Sequence, residues 1–135
     1  MTTVENGSQE ESVSRSRARS RRSAKAAGSS FERLVADYLA VVVDDRIDRR
    51  VKTGARDKGD IAGVRVHGQR VVLEAKNTAR INLGSWAAEA EVERVNDEAL
   101  VGVVVHKRHG KGSAGDQWVT MTLADLAALL TGSRP

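Results

Sequence analysis

Asp60, Glu74 and Lys76 are the residues whose types and spacing suit chemistry. Glu74 and Lys76 stand two apart in an apolar run, Arg70–Lys76. Side chains on a strand alternate faces, so Glu74 and Lys76 project to one side together with Val72, while Val71, Leu73 and Ala75 point the other way, into a core. Asp60 opens a second apolar run, Asp60–Val66, and His67-Gly68-Gln69 joins the two runs as a hairpin. That hairpin brings Asp60 to the strand end that carries Glu74 and Lys76. Two close carboxylates repel unless a cation lies between them. Hard oxygen ligands without histidine or cysteine suit Mg²⁺ or Mn²⁺. Such ions bind phosphates and activate water for phosphodiester hydrolysis. Lys76 would orient or deprotonate that water, or stabilise negative charge developing on phosphorus. The competing reading of Glu-x-Lys is a solvated salt-bridge face with no chemistry.

The elements that must hold these residues follow from periodicity. Ser29 and Glu32 form a capping box, and Phe31, Leu34, Val35, Tyr38 and Leu39 follow at helical spacing, predicting a helix from Ser30 to Val43. A polar strand is expected over Arg46–Lys52, a loop over Thr53–Gly59, and then the two strands of the hairpin. Gly84 and Ser85 open a helix, Ser85–Glu98, with Trp86, Ala90 and Val95 as its apolar positions. Leu100–Lys107 is a continuous apolar run, as in a strand buried on both faces. A Gly-rich loop, Arg108–Asp116, leads to a short strand, Gln117–Met121. Thr122 and Asp125 cap a last helix with Leu123, Leu126, Leu129 and Leu130. The predicted order αβββαββα makes an α/β fold, a mixed sheet with helices on its faces.

Length and composition bound the rest. The 135 residues suit one domain. With no cysteine, disulfides, thiolate nucleophiles and cysteine-held metals are excluded, and a reducing, cytoplasmic setting fits. No apolar run approaches the roughly 20 residues of a membrane span, and the polar N-terminus is not a secretory signal. Aromatics are 3% of the chain, too few for a surface that reads bases by stacking. The net charge of +4 is uneven. Residues 1–28 hold six basic side chains (Arg15, Arg17, Arg19, Arg21, Arg22 and Lys25) and three acidic ones, which leaves 16 and 15 for the remainder. Residues 1–28 lack the apolar side chains to pack a core. They are expected to be a basic arm, disordered in isolation, that lies on a phosphate backbone, with an ordered domain over 29–135.

Three stretches together resemble the PD-(D/E)xK nuclease superfamily. They are Gly28-Ser29-Ser30-Phe31-Glu32-Arg33, Gly59-Asp60-Ile61-Ala62-Gly63 and Glu74-Ala75-Lys76-Asn77-Thr78. Gly59-Asp60 stands for PD and Glu74-Ala75-Lys76 for (D/E)xK. Within the superfamily the pattern resembles the archaeal-type Holliday junction resolvases and their phage and bacterial relatives, over about residues 28–130. The resemblance implies a restriction-endonuclease-like fold. It implies Glu32, Asp60 and Glu74 as the acidic metal-site residues, the Ala75 backbone carbonyl as a further metal ligand, and Lys76 as the catalytic lysine. The implied activity is Mg²⁺- or Mn²⁺-dependent cleavage of four-way or other branched DNA in a bacterial or phage-infected cell. The chain departs from the pattern in having Gly, not Pro, before Asp60. Relatives also carry hydroxyl or basic residues before that Asp, a part that Thr53, Arg56 and Lys58 could take. Glu32 has a competing explanation as the capping residue.

Other residues complete the reading. Lys107, Arg108 and Lys111 in the Gly-rich loop are candidates to touch DNA. His106 and His109 have a zinc-like spacing without a third ligand. Glu89, Glu91 and Glu93 read as a solvated acidic helix face, although this helix often lends one polar residue to the site in the superfamily. Two symmetric cuts in a junction call for two active sites, hence a homodimer. Three other functions stay open: a nuclease or nickase on linear duplex, a non-catalytic DNA-binding protein with a nuclease-like fold, and an RNA- or ribosome-associated protein.

Overall fold

The computed structural model describes residues 2–51, 54 and 56–135, with side chains from residue 20 onward. The element order is α1 (Thr2–Val42), β1 (Asp48–Arg49), β2 (Ile61–Ala62), β3 (Arg65–Val66), β4 (Gln69–Lys76), α2 (Leu83–Asn96), β5 (Val101–His106), β6 (Trp118–Thr120) and α3 (Leu123–Thr131). This is an α/β fold with a mixed, open sheet ordered β1-β2-β4-β5-β6, with β3 pairing β4 beside that path. β4 and β5 run parallel, and the other strand pairs are antiparallel.

The sheet has two different faces. On one, Val71 and Leu73 of β4 meet Val101, Val103 and Val105 of β5, Ile61 of β2, Phe31, Val35 and Ala36 of α1, and Ala128 of α3 in a continuous core. On the other, α2 lays Trp86 and Ala90 against Val104. Gly102 lets α2 come this close, because a Cβ there would lie 2.5 Å from the Ala90 carbonyl oxygen. β5 is buried along its whole length, as its apolar run predicts.

Several boundaries differ from expectation, three of them for a local reason; the strand expected over Arg46–Lys52 is Asp48–Arg49, with Lys52 outside the described residues. The single strand expected over Asp60–Val66 is two, β2 and β3, with Gly63 between them at φ +87. A Cβ at Gly63 would meet the Arg46 carbonyl oxygen at 2.8 Å, so the chain kinks where only glycine fits. The observed order is therefore αββββαββα. β3 and β4 are joined by His67 (φ 52) and Gly68 (φ 72), two successive left-handed residues of a tight hairpin turn. Helix α2 begins at Leu83, because the Asn82 side chain accepts the Ser85 N–H at 3.3 Å. Ser29 does not cap a helix start, since it lies inside α1, which runs back to Thr2. No proline precedes Pro135, so nothing upstream of Ser29 forbids helical backbone. Thr122 caps α3 as expected, its Oγ1 accepting the Asp125 N–H at 3.2 Å. No helix among the described residues is long and apolar enough to cross a membrane.

Candidate active site

The alternation read from β4 holds. Val72, Glu74 and Lys76 face α2, and β5 contributes Val104 and His106 to the same face, in register with Glu74 and Lys76. A solvated salt-bridge face would leave Glu74 in water, but α2 covers it and it is 5% exposed. Lys76 Nζ lies 3.5 Å from Glu74 Oε1 and 2.7 Å from Glu89 Oε2 of α2.

Asp60 enters from the neighbouring strand. It is 5% exposed, and its Oδ2 accepts the Ala75 N–H at 2.8 Å. The Asp60 N–H in turn donates to the Leu73 carbonyl at 3.0 Å. These bonds tie the start of β2 to the Glu-x-Lys end of β4, as the hairpin reading requires. Gly59 makes the approach possible. Its φ is +94, and a Cβ there would lie 2.9 Å from Val72 Cγ1 and 3.1 Å from the Leu73 carbonyl oxygen. Glycine thus takes the position before the acid because the backbone is left-handed and pressed against β4.

The sequence reading leaves out Asp57 and places Glu93 on a solvated acidic face, but Glu93 of α2 is 1% exposed, and its carboxyl meets that of Glu74. Oxygens of Asp57, Glu74, Glu89 and Glu93 all lie within 4.8 Å of one another. Asp57 is held by its own turn: its Oδ1 accepts the Gly59 N–H at 3.0 Å, and Asn96 of α2 donates to its carbonyl at 2.9 Å. Glu93 Oε1 and Oε2 and Glu74 Oε2 are buried with no hydrogen-bond partner. Two carboxylates are both acceptors and cannot bond until a proton or a cation comes between them.

The electrostatics follow from that crowding. Burial pushes the Glu74 carboxyl up to about 7, and the charges of Asp60 and Glu89 add to the rise against the opposing contact with Glu93 and charge of Lys76. Burial pushes Glu93 up further still, reinforced by the facing Glu74 and by Asp57. Burial pulls the Lys76 ammonium down, but Glu89 and Glu74 outweigh it and leave its pKa raised. Lys76 is therefore a fixed positive charge at neutral pH.

The remaining expected residues fall in different places. Glu32 sits on α1, where its Oε2 takes Nε and a terminal nitrogen of Arg49 at 3.3 and 3.2 Å, and it does not join the gathered acids. The basic loop after β5 starts beside the site, since the Lys107 N–H donates to the Lys76 carbonyl at 3.0 Å. Lys111 is exposed, Lys107 Nζ reaches the Lys111 carbonyl at 2.5 Å, and the Arg108 guanidinium lies 4.2 Å over the Trp118 ring. Arg56 and Lys58 are exposed on the segment leading to Asp60, while Thr53 lies outside the described residues. Arg21, Arg22 and Lys25 are exposed on α1, and the side chains of Arg15, Arg17 and Arg19 lie outside those described. The Asn77 amide, just past Lys76, reaches the Ala27 carbonyl at 3.5 Å, so the root of the basic segment lies next to the end of β4. His106 and His109 do not converge: His106 Nε2 pairs with Thr120 Oγ1 at 2.8 Å and its ring packs on Trp86, whereas His109 Nε2 meets the Thr78 carbonyl at 3.2 Å. Burial lowers the His106 pKa, so that ring is neutral. No known family, curated protein or solved structure matches the chain.

Proposed function

We propose that this protein is a divalent-metal-dependent DNA endonuclease of the PD-(D/E)xK kind, with a restriction-endonuclease-like fold, acting on four-way or other branched DNA. One observation carries the reading. Asp60 and the Glu74-Ala75-Lys76 strand end are locked together by the Asp60–Ala75 hydrogen bond, under a helix that dries Glu74. The buried, unpartnered Oε2 of Glu74 on the strand end that carries Lys76 fits a hard cation, because an uncompensated buried charge is costly. Asp60, Glu74 and the Ala75 carbonyl would hold Mg²⁺ or Mn²⁺, which supplies a more acidic bound water and neutralises phosphate charge. Lys76, held at this strand end by Glu74 and Glu89, would stabilise negative charge developing on phosphorus.

Placement of the cations supports DNA as the substrate. Lys107, Arg108 and Lys111 flank the Lys76 end of β4, Arg56 and Lys58 precede Asp60, and the basic segment of α1 begins beside Asn77. A backbone approaching the acids therefore meets positive charge on several sides. Each chain carries one such site, so paired cuts in a junction require a homodimer, which light scattering at micromolar concentration should report. Labelled four-way junction, flap, duplex and single strand, incubated with and without Mg²⁺, test the reading. Metal-dependent cutting of the junction is expected. No cutting of any substrate overturns the enzyme, and equal cutting of all four overturns the branched-DNA preference.

A further inference from the structure

We propose that the cation site extends onto α2, with Glu93 and Asp57 joining Glu74 as ligands of a divalent metal ion. The inference deepens the nuclease reading and rests on it for the identity of the ion's neighbours. Its ground is separate, in the side chains of α2 and of the turn before Asp60.

Glu93 occupies a position where a helix normally buries an apolar side chain. Trp86, Ala90 and Glu93 follow one another at helical spacing on the face that α2 presses to the sheet. A residue there that merely packed would gain from being leucine or methionine. Glu93 instead places two carboxylate oxygens in the interior, 1% exposed, and neither finds a donor. Across from it, Glu74 Oε2 is buried and equally without a donor. Lys76 is turned to Glu89 at 2.7 Å and to the other Glu74 oxygen at 3.5 Å. Three orphaned acceptor atoms thus belong to two carboxyls whose oxygens come within 4.8 Å of each other. An oxygen of Asp57 lies within the same distance, on a turn fixed by the bond from the Gly59 N–H to Asp57 Oδ1. The Gly59 backbone passes directly beneath, since a Cβ there would come 3.6 Å from Glu93 Oε2.

The donor set selects the ion. All the available atoms are carboxylate oxygens, with no imidazole or sulfur among them. Such ligands suit Mg²⁺, Mn²⁺ or Ca²⁺ over zinc or copper. Ligand atoms already gathered within 4.8 Å need little rearrangement to surround an ion at the usual metal–oxygen distances of about 2.0–2.6 Å.

Equilibrium binding of Mn²⁺ to the full-length protein without DNA, followed by electron paramagnetic resonance, tests this. Glu93→Gln keeps the shape of the side chain and removes one charged ligand; Asp57→Asn does the same on an exposed turn, where folding is not at stake. Glu91→Gln is the control, because Glu91 faces away and pairs with Arg94. Wild type and Glu91→Gln should bind Mn²⁺ alike, and Glu93→Gln and Asp57→Asn should each bind on the order of tenfold or more weakly. Wild-type affinity in both, with native circular dichroism, overturns the inference, as does a wild type that binds no Mn²⁺. The nuclease reading is decided separately by cleavage: Glu93-dependent Mn²⁺ binding without any cutting sinks the enzyme and leaves the site.

Discussion

Glu74→Gln should stabilise the metal-free protein at pH 8 and leave it almost unchanged at pH 4.5. A carboxyl that moves from 4.5 in the unfolded chain to about 7 in the folded one holds its proton more tightly when folded. Its contribution is therefore fully present below pH 4.5 and is lost as pH rises through 7. At about 1.4 kcal/mol for each tenfold change in proton affinity, the ionised side chain costs the fold about 3 kcal/mol at pH 8. The substituted amide keeps its oxygen toward Lys76 and turns its NH₂ to Glu93, so it avoids that loss at the same volume. Thermal unfolding in EDTA reads the difference: for a chain of this size about 3 kcal/mol is a rise of roughly 10 °C in Tm at pH 8. Glu93, pushed up further, extends the same trend to higher pH in the wild type. A variant whose stability profile from pH 4.5 to 8 in EDTA matches that of the wild type would refute the reasoning.

Deleting residues 1–27 removes six basic side chains, and the slope of log affinity for DNA against log salt should shrink by up to about 5 per chain. The truncated protein should still fold, because the core begins at Phe31; an unchanged slope would make the segment a passenger. Gly102→Ala puts a methyl 2.5 Å from the Ala90 carbonyl oxygen, so α2 must lift from the sheet. Chemical denaturation should show a loss of about 1–3 kcal/mol or more, and a loss of Mn²⁺ affinity should accompany it as Glu93 retreats.

The Glu74–Lys76 pair is legible in the sequence because side chains alternate with period two along β4, without a bulge to break the register. Hairpin geometry likewise places Asp60 beside it. What α2 does is not legible in its three alternate acids, which look like a charged face. The residues at 89 and 93 share a side and the one at 91 does not, since the helical period is 3.6. The available signal is the stripe Trp86–Ala90–Glu93, in which an acid continues a buried row. Ser29 misleads because a capping box is only a possibility until something stops the helix upstream, and the Ser/Arg/Ala segment contains no such residue. Glu32 finds a partner in Arg49, a residue 17 positions on, which only the folded chain brings near. The split of the expected strand at Gly63 depends on Arg46 lying across it, again a contact between distant parts of the chain.

Single-turnover cleavage of a labelled four-way junction by Asp60→Asn, Glu74→Gln and Lys76→Ala, with junction affinity measured alongside, tests the central claim most directly. Under the proposed function, binding would rest on many phosphate contacts spread over the surface, whereas the chemistry would rest on this one cluster. Each variant should lose on the order of 10²–10³-fold or more in rate and retain most of its affinity, with Asp60→Asn binding slightly tighter in the absence of metal. Variants that cut at the wild-type rate would contradict the assignment of Asp60, Glu74 and Lys76 as the catalytic centre.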